Sequence, residues 1–152
     1  MPAKRRKKQK SDIQVKKRRT DGRSDPESCP FCCGTLKRMV LKNFLCHPKL
    51  DFSFGPMVNF ITGRNGTGKS AVMAGMVVGL GGRASVMNRG QALRCYIRNG
   101  CSSATISITI ANAGSDAFKP DVYGAEIVVE RKIFLTGASA YRLMSADGTY
   151  PD

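Results

Sequence analysis

Lys69 and Ser70 close the run Gly63-Arg64-Asn65-Gly66-Thr67-Gly68-Lys69-Ser70, and residues of these types in this order can hold a triphosphate. The spacing is that of a phosphate loop, G-x-x-x-x-G-K-[ST]. Gly66 and Gly68 allow turns closed to residues with a Cβ, so successive backbone N–H groups can point at one anion. Lys69 adds a mobile positive charge for the β- and γ-phosphates, and Ser70 offers a hydroxyl to Mg²⁺. The N-terminus of a following helix adds its own partial positive charge. ATP or GTP suits this chemistry.

Such a loop has to stand between a strand and a helix, and both flanks carry the expected pattern. Met57-Val58-Asn59-Phe60-Ile61-Thr62 is short, apolar and β-branched, bounded by Gly55-Pro56 and Gly63, and reads as a buried strand. Over 69–80 the apolar positions Ala71, Val72, Met76, Val78 and Leu80 run almost continuously until Gly81-Gly82. This predicts a buried helix with a glycine stop.

Further strands are expected on either side. Residues 36–44 alternate loosely and Leu50-Asp51-Phe52-Ser53-Phe54 alternates cleanly, with Cys46, His47 and Pro48 as a link short enough for an antiparallel pair. After the helix, 83–90 reads as a polar loop containing Arg83, Asn88 and Arg89, and 91–98 as a short helix. Ile106, Ile108 and Ile110 alternate with polar residues on one strand. Residues 126–135 make a second, and Thr136-Gly137-Ala138-Ser139 turns it back into a third at 140–145. The fold class predicted is α/β: a phosphate-loop core with a mixed sheet and an antiparallel β wing.

A phosphate-loop hydrolase also needs an apolar strand ending in Asp or Glu to hold Mg²⁺ and orient water. None is recognisable. Val128-Val129-Glu130 is the nearest run, but its alternating neighbours make it an exposed strand edge. No residue is therefore assigned a catalytic role.

The 152 residues allow one domain, and the net charge of +14 is uneven. Residues 1–23 hold eleven Lys or Arg against Asp12 and Asp21, so +9 lies in the tail. With only Ile13 and Val15 as aliphatic anchors, residues 1–24 are predicted to be a disordered basic tail. Its two clusters, Lys4-Arg5-Arg6-Lys7-Lys8 and Lys16-Lys17-Arg18-Arg19, are laid out like a bipartite nuclear import signal. An arm that binds nucleic-acid phosphates without sequence preference is a compatible reading. The charged N-terminus lacks the apolar core of a secretory signal, which predicts an intracellular chain with reduced thiols. Residues 25–34 form a Cys-rich linker. Cys29, Cys32 and Cys33 with Cys46-His47 could complete a zinc site, but no second spaced pair exists and free thiols are the preferred reading.

The combination of Leu41-Lys42-Asn43-Phe44-Leu45-Cys46-His47, then Phe54-Gly55-Pro56 leading into the strand before Gly63, then Asn65-Gly66-Thr67-Gly68-Lys69-Ser70 resembles the N-terminal head segment of structural maintenance of chromosomes (SMC) ATPases. Val78-Gly79-Leu80-Gly81-Gly82, Asn88-Arg89-Gly90, Asp116-Ala117-Phe118-Lys119-Pro120 and Tyr123-Gly124 look most like the sixth class of that family. The resemblance covers roughly residues 35–148. It implies an ATPase head of the ABC type whose two lobes come from opposite ends of one long chain, so 35–152 is expected to be an incomplete N-terminal lobe. It further implies ATP on residues 63–70, with Lys69 on the β- and γ-phosphates and Mg²⁺ on Ser70. Thr67 replaces a more usual Ser. An arginine near nucleotide or DNA is implied at Arg89, against a plain solvated loop residue, and the Asn43-Phe44 turn is expected near the nucleotide, with Phe44 also read as core. The partners implied are DNA, a fifth-class SMC subunit and associated non-SMC subunits, in a nuclear complex for homologous-recombination repair and chromosome organisation. The alternative is a non-catalytic nuclear fragment that binds DNA through its tail. No membrane role is expected.

Overall fold

The computed structural model describes residues 14–17, 31–82 and 92–150, the first of these segments by its backbone alone. A five-stranded antiparallel sheet forms the bulk of the fold, in the order β3-β2-β5-β6-β7. Its strands are β2 (Leu36–Phe44), β3 (His47–Ser53), β5 (Ser103–Ala111), β6 (Glu126–Phe134) and β7 (Ser139–Ser145). A separate pair joins β1 (Gln14–Lys17) to β4 (Asn59–Thr62), also antiparallel. Helix α1 (Lys69–Gly79) follows the phosphate loop, a 3-10 turn spans Leu93–Tyr96, and the short helix α2 (Pro120–Tyr123) precedes β6.

Period-2 alternation decides the two faces of the large sheet. Met39, Leu41, Leu50, Ile106, Ile108 and Ile133 point to one side and are buried. The opposite side carries polar and charged residues, with Arg38 paired to Asp51 across β2 and β3 and Ser107 donating to Glu130 across β5 and β6. Helix α1 lies on the apolar side. It comes close because Gly75 faces Leu41, and Gly79 faces Ile106 and Ile108; a side chain at either position would enter space the sheet already fills.

Asn112, 2% exposed, is a buried polar residue whose groups are all used. Its side-chain amide donates to the carbonyls of Phe118 and Gly124, and its Oδ1 accepts from Phe118 N–H. These bonds gather the loop around α2 against the start of β6, satisfying polar groups that burial would otherwise leave costly.

Three expectations are corrected by the fold. The strand before the loop is shorter than 57–62 and is not buried: Met57 is 71%, Val58 51% and Phe60 54% exposed. Its apolar pattern reports what the strand can be covered by, and among the described residues only β1 pairs with it. The mixed sheet has no parallel pair among the described residues, because every strand connection to the large sheet returns antiparallel. Within the tail expected to lack order, Gln14–Lys17 forms strand β1 along β4, whose open backbone edge offers hydrogen bonds that need no side-chain complementarity. The remaining tail residues, including Lys4, Arg5, Arg6, Lys7, Lys8, Arg18 and Arg19, lie outside the described residues, as do Cys29, Arg83, Asn88 and Arg89.

Candidate functional site

The chain leaves β4 at Thr62 and enters α1 at Lys69, so the phosphate-loop residues occupy the strand-to-helix turn. Gly66 has φ 84° and Gly68 φ 113°, the left-handed region that favours glycine. A Cβ built on Gly66 would meet nothing within 4 Å; the requirement there is conformational, not steric. Thr67 tightens the turn, its Oγ1 donating to the Arg64 carbonyl at 2.8 Å.

Lys69 reaches back over the loop. Its Nζ donates to the Gly63 carbonyl at 2.6 Å and the Arg64 carbonyl at 2.9 Å, which holds the ammonium at the loop mouth. Gly68 caps α1 without any side-chain hydrogen bond, and the first turn carries no acidic residue. The helix N-terminus therefore presents its partial positive charge without a side-chain anion to neutralise it. Two open glycine turns, a tethered ammonium and an uncapped helix end fit a phosphate chain.

Beside the loop lies a cleft of about 560 Å³, within the usual range for small-molecule sites. One wall is Gly66, Gly68, Ser70 and Ala71; the other is the β2–β3 turn, with Leu45, Cys46 and His47, and the segment holding Cys95, Ile97, Arg98 and Asn99. Backbone pairing joins the two parts of that second wall. Phe44 bridges Ile97, Leu45 N–H donates to the Tyr96 carbonyl at 2.7 Å, and Arg98 N–H donates to the Asn43 carbonyl at 2.8 Å. Phe44 and Tyr96, both fully buried, stack at 5.5 Å beneath the wall. Asn43 and Leu45 take positive φ to make the turn, at a cost of about 1–2 kcal/mol each for residues with a Cβ.

Burial pushes the pKa of His47 below the ordinary histidine value, and its Nε2 is enclosed without a hydrogen-bond partner. Among the described residues no Asp or Glu lines the cleft, and no cluster of three or more His, Cys, Asp or Glu could hold a metal. Glu130 lies on the polar face of the sheet, bonded to Ser107. The structure thus brings Ser70 and the loop glycines to one cleft together with Cys46 and His47. Arg98, Asn99 and Cys95 join them without any signal in the sequence: the pairing of residues 43–45 with 96–98 carries them there, and that contact is remote in the chain.

Comparison with known proteins matches residues 38–142 to the family described as AAA domain. The chain is 49% identical over 117 residues to structural maintenance of chromosomes protein 6 of Homo sapiens, covering 76% of this chain and 11% of that protein. Its likeness to the protein of the same name from Takifugu rubripes is 48% over 116 residues, with the same coverage. The Saccharomyces cerevisiae protein of that name is 41% identical over 115 residues. The chain therefore spans about a tenth of the length of the curated relatives it matches. Among solved structures, one from work on ATP-driven dimerization and DNA stimulated activation of SMC ATPases superposes with a TM-score of 0.63 at 24% identity, covering 72% of this chain and 69% of that one. An Smc head bound to the C-winged helix domain of ScpA gives a TM-score of 0.57 at 21% identity, covering 77% and 36%. At these identities the structural likeness establishes the fold.

Proposed function

This chain belongs to the AAA domain family, as an N-terminal head segment like that of structural maintenance of chromosomes protein 6, and from that premise we propose that it is the ATP-binding part of an SMC-type subunit acting in DNA repair and chromosome organisation. The observation that carries the reading is Lys69 Nζ held across the loop mouth above an uncapped helix N-terminus. Gly63, Arg64, Asn65, Gly66, Thr67 and Gly68 would wrap the triphosphate with their backbone N–H groups, Lys69 would contact the β- and γ-phosphates, and Ser70 would hold Mg²⁺. The metal would neutralise charge on the phosphate oxygens. Arg98 stands on the opposite wall of the same cleft, where a cation favours a polyanionic ligand.

Among the described residues the cleft has no carboxylate to serve as base or acidic Mg²⁺ ligand. In the complete assembly, the second lobe and a second head would supply these parts. The heterodimer partner proposed is the fifth-class SMC subunit, with non-SMC subunits and DNA as further partners, in the nucleus on chromosomes. The basic clusters of residues 4–19 support import and phosphate contact. A second reading, a non-catalytic nuclear fragment that binds DNA through this tail, is favoured by the concentration of +9 in residues 1–23.

ATP turnover tests the incomplete site. The chain alone should show no turnover above the Lys69→Ala background; turnover that Lys69→Ala abolishes would overturn that part of the proposal. For import, residues 1–23 fused to a reporter should carry it into the nucleus, and an evenly spread reporter would count against the signal.

A further inference from the structure

The face of the large sheet turned away from α1 carries a row of lysines uninterrupted by a carboxylate. Lys49 on β3 stands opposite Lys42 on β2, Lys42 opposite Thr105 on β5, and Thr105 opposite Lys132 on β6. All four therefore share one face and one line across the strands, and the three lysines are exposed. Like charges placed directly opposite each other destabilise a sheet, and this pair is poorly offset. Among the described residues Lys42 and Lys132 form no ion pair. Lys49 lies 3.7 Å from Asp51, whose two oxygens already accept from Arg38. Glu126 and Glu130, on the same face, are engaged by Lys37 and Ser107. Two residues further along the strands the face dips into a hollow of about 430 Å³, where Val40, Ser107, Thr109 and Val128 stand beside Phe31 and Phe54.

We propose that this face docks an extended acidic segment of a partner protein, with its carboxylates on Lys49, Lys42 and Lys132 and a flanking apolar side chain in the hollow. The row spans three strand spacings, about 14 Å at about 4.8 Å each. An extended chain rises about 3.3 Å per residue, so acidic residues at i, i+2 and i+4 point to one side and spread over about 13 Å. The two spacings match. Val40 and Val128 give the hollow an apolar floor, which an aliphatic side chain covers favourably. Nucleic acid suits the face less well. Asp51 and Glu130 stand two residues along the strands, about 7 Å from the lysine row and inside the Debye length of about 8 Å, where a duplex laid over several rows would set phosphates against them. Lys37 Nζ lies 5.1 Å from the centre of the Phe31 ring and Lys132 Nζ 5.4 Å from that of Phe134, so these rings already hold cations and are not open platforms for bases. The docking uses no residue of the nucleotide cleft and stands apart from the ATP reading.

The test titrates the full chain with a fluorescein-labelled peptide that carries glutamate at three alternate positions followed by leucine, and reads anisotropy. A water-soluble carbodiimide then couples peptide carboxylates to nearby lysine amines, and mass spectrometry maps the links. Links to Lys42, Lys49 and Lys132 are expected. The triple variant Lys42→Thr, Lys49→Thr, Lys132→Thr should bind the peptide about tenfold more weakly, the combined effect of losing three exposed ion pairs. Lys42→Thr alone should be at least as stable to urea as the unsubstituted chain, because it relieves the opposed lysines; weakened binding is then not loss of the fold. Links confined to the lysines of residues 1–23, no saturable binding, or equal affinity in the triple variant would overturn the site. A single-stranded or duplex oligonucleotide that displaces the peptide, and loses more affinity than the peptide does in the triple variant, would overturn the protein partner in favour of nucleic acid.

Discussion

Arg131 Nη1 donates a 2.7 Å hydrogen bond to the carbonyl oxygen of Val78, tying the antiparallel wing to the last turn of the phosphate-loop helix. The guanidinium lies 4.7 Å from the centre of the Tyr141 ring, and Nη2 donates to Ser139 Oγ. A cation at a helix C-terminus is favourable for the last-turn carbonyls and for the helix dipole. β6 and β7 thereby hold α1 from the end opposite residues 63–68.

Removing that grip should loosen the helix. Arg131→Ala is expected to lower stability by about 1.5–3 kcal/mol, the range for losing a hydrogen bond made by a charged group, as read from urea denaturation. Arg131→Lys should recover only part, since an ammonium cannot reproduce a fork that reaches Val78 and Ser139 together. Tyr141→Phe, which removes a long 3.4 Å contact to the same carbonyl, should cost less than about 1 kcal/mol.

The two glycines of α1 that face the sheet should respond differently to alanine. At Gly79 a Cβ would lie 2.7 Å from Ile106 Cγ2 and 2.6 Å from Ile108 Cδ1, and the first of these methyls sits on a stiff β-branch. Overpacking of about 1–3 kcal/mol then exceeds the helix-propensity gain of about 1 kcal/mol, so Gly79→Ala should be destabilising. At Gly75 the nearest atoms are the two Cδ methyls of Leu41 and the sulfur of Met39, which can rotate away. Gly75→Ala should therefore change stability by less than about 1 kcal/mol. Equal and large losses in both would contradict this packing.

His47 is the chain's single histidine, so its titration can be followed without ambiguity. Burial lowers its folded pKa from 6.5, so below that pH the unfolded chain binds more protons than the folded one. Stability should be fully present above the unfolded value and decline as pH falls from about 6.5 toward the lowered folded pKa. The histidine resonances should titrate below the ordinary value, and His47→Asn should flatten this part of the stability profile. A resonance that titrates above 6.5 would contradict the enclosed Nε2.

Local pattern made some of this legible and long-range pairing hid the rest. The alternation of Ile106 and Ile108 with Ser107 revealed both the strand β5 and its buried face, because a single core covers one side of it. The phosphate loop was legible because its residue types serve one backbone path. Phe60 was not: its apolar character looks the same whether a second layer lies over it or solvent does. The far wall of the cleft was hidden for a different reason. Arg98 and Cys95 belong to no motif, and they reach the site through hydrogen bonds of Leu45 and Arg98 that join segments some fifty residues apart in sequence. Strand β1 was hidden by its composition, since a lysine-rich stretch reads as solvated tail until an unpaired strand edge is available to it.

Residues 63–70 are proposed to hold Mg²⁺ and ATP through Lys69 and Ser70. Equilibrium ATP binding by the full chain, compared with Lys69→Ala and Ser70→Ala in the presence and absence of Mg²⁺, tests this most directly. Saturable binding by the unsubstituted chain is expected, weakened at least about tenfold by Lys69→Ala through loss of charge-assisted hydrogen bonds, with a Mg²⁺ dependence that Ser70→Ala removes. Equal, negligible binding by the unsubstituted chain and Lys69→Ala would contradict it and favour the DNA-binding tail as the working part of this chain.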